Sequence, residues 1–170
     1  LNETRIGFIK ALEKMGCSFN YYNVHKEAGE KVGDIEVTYH KLHGINIDAS
    51  DIPSIIDELP MLALIASQAR GITKVSGAKE LRVKESDRIK AICKNLGEIG
   101  GDIEEKSDGF IINGGTELTS GNIDTFDDHR IAMTFHIASL ISGKKISLNN
   151  TNCVNISFPD FFKTIESIER

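Results

Sequence analysis

Residues 57–71 read DELPMLALIASQARG, and residues 129–143 read HRIAMTFHIASLISG. An Ile-Ala-Ser tripeptide (65–67 and 137–139) and the closing glycine recur at a single offset of 72 residues. Each segment starts with a charged pair, continues as an apolar helix and stops at glycine, a common end of helices. Such self-similarity predicts a repeated structural unit.

The sequence around these helices repeats as well. Each apolar helix is followed by a strand-like stretch, at 72–76 and at 145–149. Residues 2–6 and 84–89 are predicted to lead into amphipathic helices that end at 15–16 and 99–100, and residues 157–160 are predicted to open a third. Alternating polar and apolar residues then predict two hairpins: 18–23 with 34–39, and 102–105 with 109–113.

The predicted unit is an apolar helix, a strand, an amphipathic helix and a hairpin. One copy is complete, one precedes it in part, and one is cut short by the C-terminus. Helices that are hydrophobic nearly all round must be buried. The pattern therefore predicts an α/β repeat architecture with helices inside and strands outside, without an internal domain boundary.

Composition favours one soluble globular domain. The chain has 170 residues, 40% hydrophobic and 26% charged, with a net charge of −5 from interspersed acids and bases. That charge disfavours a nucleic-acid or anionic membrane surface. No apolar run reaches the roughly 20 residues that span a bilayer, and no secretory leader is visible. Three scattered cysteines suit a reducing cytoplasm. Because the chain starts at Leu1, we expect a fragment.

Three charged clusters stand at predicted helix entrances. In the first, Asp57 would cap the apolar helix and Glu58 would favour its dipole. In the second, residues 82–88 read RVKESDR. Their ordinary role is a solvated helix entrance with Ser86 or Asp87 as cap. Arg88, however, would lie in the first turn, where a cation is disfavoured.

The third cluster, residues 127–130, repeats this anomaly. Arg130 enters the first turn of the apolar helix predicted at 131–142, and Asp127 and Asp128 could neutralise it. His129 could be a polar cap residue. Helix N-termini attract anions, and arginine holds phosphate or carboxylate with two parallel hydrogen bonds. Arg88 and Arg130, in repeats that converge, therefore suggest a divided grip on an anion.

The clusters also resemble a known family. The stretch 81–88, LRVKESDR, closely resembles the C-terminal signature of the 5-enolpyruvylshikimate-3-phosphate synthases. Four further stretches match in the same order and spacing, so that the resemblance covers essentially the whole chain: 52–53 (IP), 56–60 (IDELP), 128–133 (DHRIAM) and 157–159 (SFP).

The resemblance implies the family's fold, two similar domains that are each an inside-out α/β barrel of three βαβαββ units. Residues 1–170 would be an incomplete C-terminal domain of this enolpyruvyl transferase type, without its opening helix and strand. The N-terminal domain would be absent and would be the chain's partner. The isolated chain is then expected to have little or no turnover.

The resemblance also implies a reaction, in which the 5-hydroxyl of shikimate 3-phosphate adds to C2 of phosphoenolpyruvate and phosphate leaves. By motif position, Asp57 would take the hydroxyl proton and help to bind shikimate 3-phosphate. Lys84 would contact the same substrate. Glu85 would move a proton on and off the enolpyruvyl methylene.

Two arginines complete the implied site. Arg88 and Arg130 would hold phosphoenolpyruvate, with His129 beside them in a role the motif does not define. No metal or organic cofactor is implied. One departure stands out, because many members carry a lysine before the Ser/Thr-Phe-Pro motif where this chain has Ile156.

Three other interpretations remain open. One is the sister enolpyruvyl transferase of cell-wall synthesis, which acts on a UDP-sugar and is not expected to carry the 82–88 string. A second is a non-catalytic remnant, which Ile156 would suit. The third is a repeat domain whose charged clusters are only helix caps.

Overall fold

The computed structural model of the protein describes residues 1–38 and 40–168. Short 3₁₀ helices at Ile52–Ser54, Lys79–Val83 and Asn152–Ile156 connect the main elements. The α-helices are α1 (Gly7–Lys14), α2 (Leu59–Gln68), α3 (Arg88–Glu98), α4 (His129–Ser142) and α5 (Phe161–Ile168). The strands are β1 (Ser18–Glu27), β2 (Glu30–Thr38), β3 (Asn46–Ile47), β4 (Ile72–Val75), β5 (Asp102–Lys106), β6 (Gly109–Asn113), β7 (Gly121–Ile123) and β8 (Ile146–Leu148).

One repeat is complete and has the order β3-α2-β4-α3-β5-β6, the predicted βαβαββ unit. Its strands form one sheet in the order β3-β4-β6-β5, with β3 parallel to β4 and the remaining pairs antiparallel. Helix α1 with β1 and β2 matches the end of a preceding unit. Strand β7, α4, β8 and α5 begin the next one, and β7 again runs parallel to β8.

The two predicted hairpins are confirmed. Ser18 lies opposite Thr38, and Asp102 lies opposite Asn113. Tyr39, predicted as the end of the first hairpin, lies outside the described residues. The sequence missed β3 and β7, because two or three residues are too few to show an alternating pattern. The equally short β8 was predicted from its place after the apolar helix in the repeat.

Helix α2 lies inside the fold as predicted. Leu62 and Ala66 are fully buried, and the helix contacts α3 and α4. Helix α4 differs along its length: Phe135 is buried, whereas Leu140 and Ile141 in its last turn are exposed. Within residues 1–38 and 40–168, no helix combines the length and apolar character that crossing a membrane requires.

Two predicted helix ends were wrong. Helix α4 begins at His129, two residues before the predicted start, because Asp128 already caps it. Helix α2 ends at Gln68, since Ala69 is extended before Gly71 is reached. The other glycine stop is confirmed, because Gly143 follows α4 in the left-handed conformation at φ 60°.

Cys93 and Cys153 pack in the hydrophobic core. Cys153 is buried, and Cys93 packs against the main core from α3. Burial, with the nearby Glu105 carboxylate, raises the pKa of the Cys93 thiol to about 12. All three cysteines of the chain are free thiols.

Candidate active site

Arg88 is the centre of an ion-pair network. It is the first residue of α3, and Asp87 caps that helix by accepting a hydrogen bond from the Lys90 amide at 3.0 Å. The Arg88 side chain is only 1% exposed. Burying a guanidinium at the positive end of a helix is unfavourable unless anions surround it.

Three carboxylates supply those anions. Nε of Arg88 donates to Oδ2 of Asp128 at 2.8 Å, and Nη2 donates to Oε2 of Glu85 at 2.5 Å. Nη1 reaches Oδ1 of Asp57 at 3.4 Å. The anion expected beside Arg88 is thus provided, in this structure, by the protein itself.

Asp128 joins the second and third charged clusters. Its side chain is fully buried and caps α4 by accepting from the Arg130 amide at 2.9 Å. It also accepts from the Ser86 hydroxyl at 2.9 Å. Burial alone would raise the pKa of the Asp128 carboxyl, but the hydrogen bonds and charge of Arg88, together with the bonds from Ser86 and Arg130, hold that pKa below its ordinary value.

Asp57 bridges the two arginines. One of its oxygens faces Arg88, and Oδ2 lies 3.2 Å from Nη2 of Arg130, whose Nη1 also donates to the Asp57 carbonyl at 3.2 Å. The interpretation of Asp57 as a helix cap is wrong. Helix α2 starts at Leu59, and its N-cap residue is Glu58, which makes no side-chain capping bond.

The expectation that Asp127 and Asp128 neutralise the Arg130 side chain is wrong. Its guanidinium pairs with Asp57, while Asp128 accepts only its backbone amide. Asp127 instead accepts a hydrogen bond from the Asn150 amide at 2.6 Å. The partner of Arg130 is 73 residues away in sequence, which local reasoning could not find.

The structure therefore brings four predicted residues into one network: Asp57, Glu85, Arg88 and Arg130. Lys84 stays outside it, because its ammonium pairs with Glu80 at 2.9 Å. His129 opens α4 next to Arg130, and within the described part of the chain its ring makes no hydrogen bond or ion pair.

The turn before α4 is strained, and sequence reasoning missed it. Phe126 and Asp127 both have positive φ, 52° and 54°, a conformation that is costly for residues other than glycine. Asn149 holds this turn by accepting from the amide and hydroxyl of Thr125 at 2.9 and 3.0 Å. The strained turn thus places Asp128 at the N-cap of α4, and no local sequence pattern predicts this turn.

Among the described residues, no group of three or more His, Cys, Asp or Glu side chains is arranged to hold a metal ion. The network contains three carboxylates and two guanidinium groups. Arg88 pairs with all three carboxylates, and Arg130 pairs with Asp57. Such a set can bind small anions and exchange protons.

The low pKa of Asp128 predicts a pH dependence of stability. A carboxyl group whose pKa is lower in the folded state stabilises the fold above its unfolded pKa, and the contribution is lost as pH falls through the folded value. The free energy of unfolding should therefore fall below about pH 3.8, and Asp128→Asn should flatten that fall. Urea unfolding of both proteins, from neutral pH to well below the ordinary carboxyl pKa of about 4, measures this.

The matched control is Asp160→Asn, since Asp160 is exposed and, among the residues that the structure describes, its carboxylate pairs with Lys163 alone. Its unfolding profile should follow that of the unchanged protein. An Asp128→Asn profile with the same acid slope as the unchanged protein would contradict the argument.

Solved structures identify the class of fold. The chain aligns with an EPSP synthase from Acinetobacter baumannii at TM-score 0.91 and 36% identity, over 98% of this chain and 39% of that one. The enolpyruvyl transferase NikO from Streptomyces tendae aligns at TM-score 0.70 and 16% identity, over 94% and 34%. The fold is the inside-out α/β fold of the enolpyruvyl transferases.

Sequence comparisons define the family. Residues 1–165 match the family model for EPSP synthase (3-phosphoshikimate 1-carboxyvinyltransferase). Proteins named 3-phosphoshikimate 1-carboxyvinyltransferase from Sulfurihydrogenibium sp. (strain YO3AOP1) and Endomicrobium trichonymphae are 46% and 48% identical over the whole chain. The chain therefore belongs to the EPSP synthase family, and it spans 39–40% of the length of those relatives.

Proposed function

We propose that this chain is the C-terminal part of a 3-phosphoshikimate 1-carboxyvinyltransferase. The complete protein would transfer the enolpyruvyl group of phosphoenolpyruvate to the 5-hydroxyl of shikimate 3-phosphate and release phosphate, a step of aromatic amino acid biosynthesis. Membership of the family supports this reaction over the UDP-sugar alternative. The observation that carries the proposal is the Asp57 carboxylate bridging Arg88 and Arg130.

The two arginines would act differently on phosphoenolpyruvate. Arg130 is 29% exposed, so that its guanidinium can reach a bound anion directly. Arg88 is buried against Asp128, which is fully buried and cannot leave. The Asp57 and Glu85 side chains can move away from Arg88, because they are 25% and 53% exposed. An incoming phosphoenolpyruvate anion would replace these two contacts and free both carboxylates for proton transfer.

Freed in this way, the carboxylates have the roles that the family motif implies. Asp57 would accept the proton of the 5-hydroxyl, and Glu85 would exchange a proton with the methylene carbon. Protonation of that carbon makes C2 cationic, and nearby carboxylates stabilise the positive charge. Lys84, at 27% exposure, would turn from Glu80 to shikimate 3-phosphate. His129 would lie beside the phosphoenolpyruvate.

The rest of the protein would complete the site and cover exposed surfaces of this part. Strands β1 and β2 are largely exposed, including Tyr22 and Val37. A cleft of about 610 Å³ lies at the C-terminal ends of α2 and α4, lined by Ile65 and Ile141 among others. It is at the opposite ends of these helices from the ion-pair network, which suits a surface that packs against the rest of the protein.

The free thiols fit a cytoplasmic enzyme.

The test is an assay of the complete protein with phosphoenolpyruvate and either shikimate 3-phosphate or a UDP-sugar. We expect phosphate release and an enolpyruvyl ether product, identified by mass spectrometry, with shikimate 3-phosphate alone. Residues 1–170 by themselves should give no turnover, because domain closure assembles such sites and excludes water. A complete protein that binds neither substrate by calorimetry would instead be a non-catalytic remnant.

A further inference from the structure

Arg82 makes five hydrogen bonds from one guanidinium group. Nε donates to the Ser107 carbonyl at 2.8 Å, and Nη1 donates to both oxygens of Asp87 at 2.8 and 3.2 Å. Nη2 donates to Oε1 of Glu105 at 2.9 Å and to the Lys106 carbonyl at 2.6 Å. A planar fork that meets acceptors on every edge is held in one orientation.

These bonds tie two parts of the fold together. Arg82 belongs to the 3₁₀ helix before α3, and three of its acceptor residues lie on strand β5 and the turn between β5 and β6. Asp108 in the same turn adds two bonds, because its side chain accepts from the Gly77 amide at 2.8 Å and its carbonyl accepts from the Ala78 amide at 2.7 Å. The turn of the β5–β6 hairpin therefore fixes the position of residues 77–82 through these hydrogen bonds.

The segment between Arg82 and Asp87 carries Lys84 and Glu85, which pair with the exposed Glu80 carboxylate and with Arg88. Val83 is 80% exposed, so that apolar burial does not hold the backbone there. Ser86 anchors only the far end, through its bond to Asp128. The ion pair of Arg82 with Asp87 closes the segment into a short loop.

We propose that Arg82 is a positioning residue, which sets the place of Lys84 and Glu85 without touching a substrate. The inference rests on the proposed function, since Lys84 and Glu85 act there on shikimate 3-phosphate and on the enolpyruvyl group. Lysine cannot replace Arg82, because an ammonium group has three donors at one point and cannot reach five separate acceptors.

The test uses Arg82→Lys and Arg82→Gln in the complete protein. We expect the KM for shikimate 3-phosphate to rise and kcat/KM to fall, each about tenfold or more, as loss of preorganised geometry produces. Amide hydrogen exchange should speed up at residues 83–86 and stay unchanged in α2 and α4. Lys106→Gln is the matched control, because the Lys106 side chain pairs with Glu104 and its carbonyl acceptor is kept.

The outcomes separate the two proposals. Variants with kcat/KM within twofold of the unchanged protein and unchanged exchange at 83–86 overturn the positioning role. Exchange that rises equally throughout α3 and β5 also overturns it, because Arg82 would then support the fold as a whole. If the unchanged complete protein forms no product, the proposed function fails, and the exchange data still decide whether Arg82 positions this segment.

Discussion

Replacing Arg88 with alanine should lower the free energy of unfolding by about 3–5 kcal/mol, the usual effect of removing one partner of a buried ion pair. The reason is that Asp128 is fully buried, and its only cationic side-chain partner among the described residues is Arg88. Domains of this size are stable by roughly 5–15 kcal/mol. The substitution would therefore remove much of the free energy of unfolding, which chemical denaturation followed by circular dichroism measures.

Two variants sharpen this prediction. Arg88→Lys keeps the charge but loses the fork that spans Asp128, Glu85 and Asp57, so that its stability should lie between those of Arg88→Ala and the unchanged protein. Lys106→Gln removes an exposed pair with Glu104 and should change the free energy of unfolding by less than about 1 kcal/mol. Stability of Arg88→Ala within that same margin would show that the network is not needed for folding.

Asp57→Asn should reduce kcat of the complete protein by about 10²- to 10⁴-fold, the range typical of losing a general base. Asparagine has nearly the shape of aspartate and can still accept one hydrogen bond, but it cannot take the proton of the 5-hydroxyl. It also removes the negative charge shared by Arg88 and Arg130. Steady-state kinetics with both substrates, on protein whose folding is checked by circular dichroism, give the result.

Glu58→Gln is the control for this experiment. Glu58 is the adjacent carboxylate at the N-cap of α2, and its side chain makes no capping bond, so that its loss should leave kcat within about threefold. If Asp57→Asn behaves like Glu58→Gln, Asp57 serves only to neutralise arginines. The catalytic assignment would then have to be abandoned while the ion-pair geometry stands.

The sequence predicted four members of the ion-pair network, Asp57, Glu85, Arg88 and Arg130, but not how they connect. The placement of Arg88 and Arg130 in first turns of helices could be read locally and pointed to an anion nearby. The sequence did not reveal that Asp57, Glu85 and Asp128 are those anions in this structure. The sequence shows that a buried arginine needs an anionic partner, but only the packing of the helices decides which carboxylate is close enough to pair with it.

The sequence by itself determined the repeat, through its self-similarity at a fixed offset. It also determined the two hairpins and the helices α1 to α5, because turns, caps and periodic burial depend on residues a few positions apart. Tertiary structure alone decided the pairing of Asp57 with Arg130, the five bonds of Arg82 and the strained turn at Phe126. Those features join residues up to 73 positions apart or require a conformation that surrounding bonds impose. Ion pairs and strain depend on distances in space, which exist only once the helices have packed.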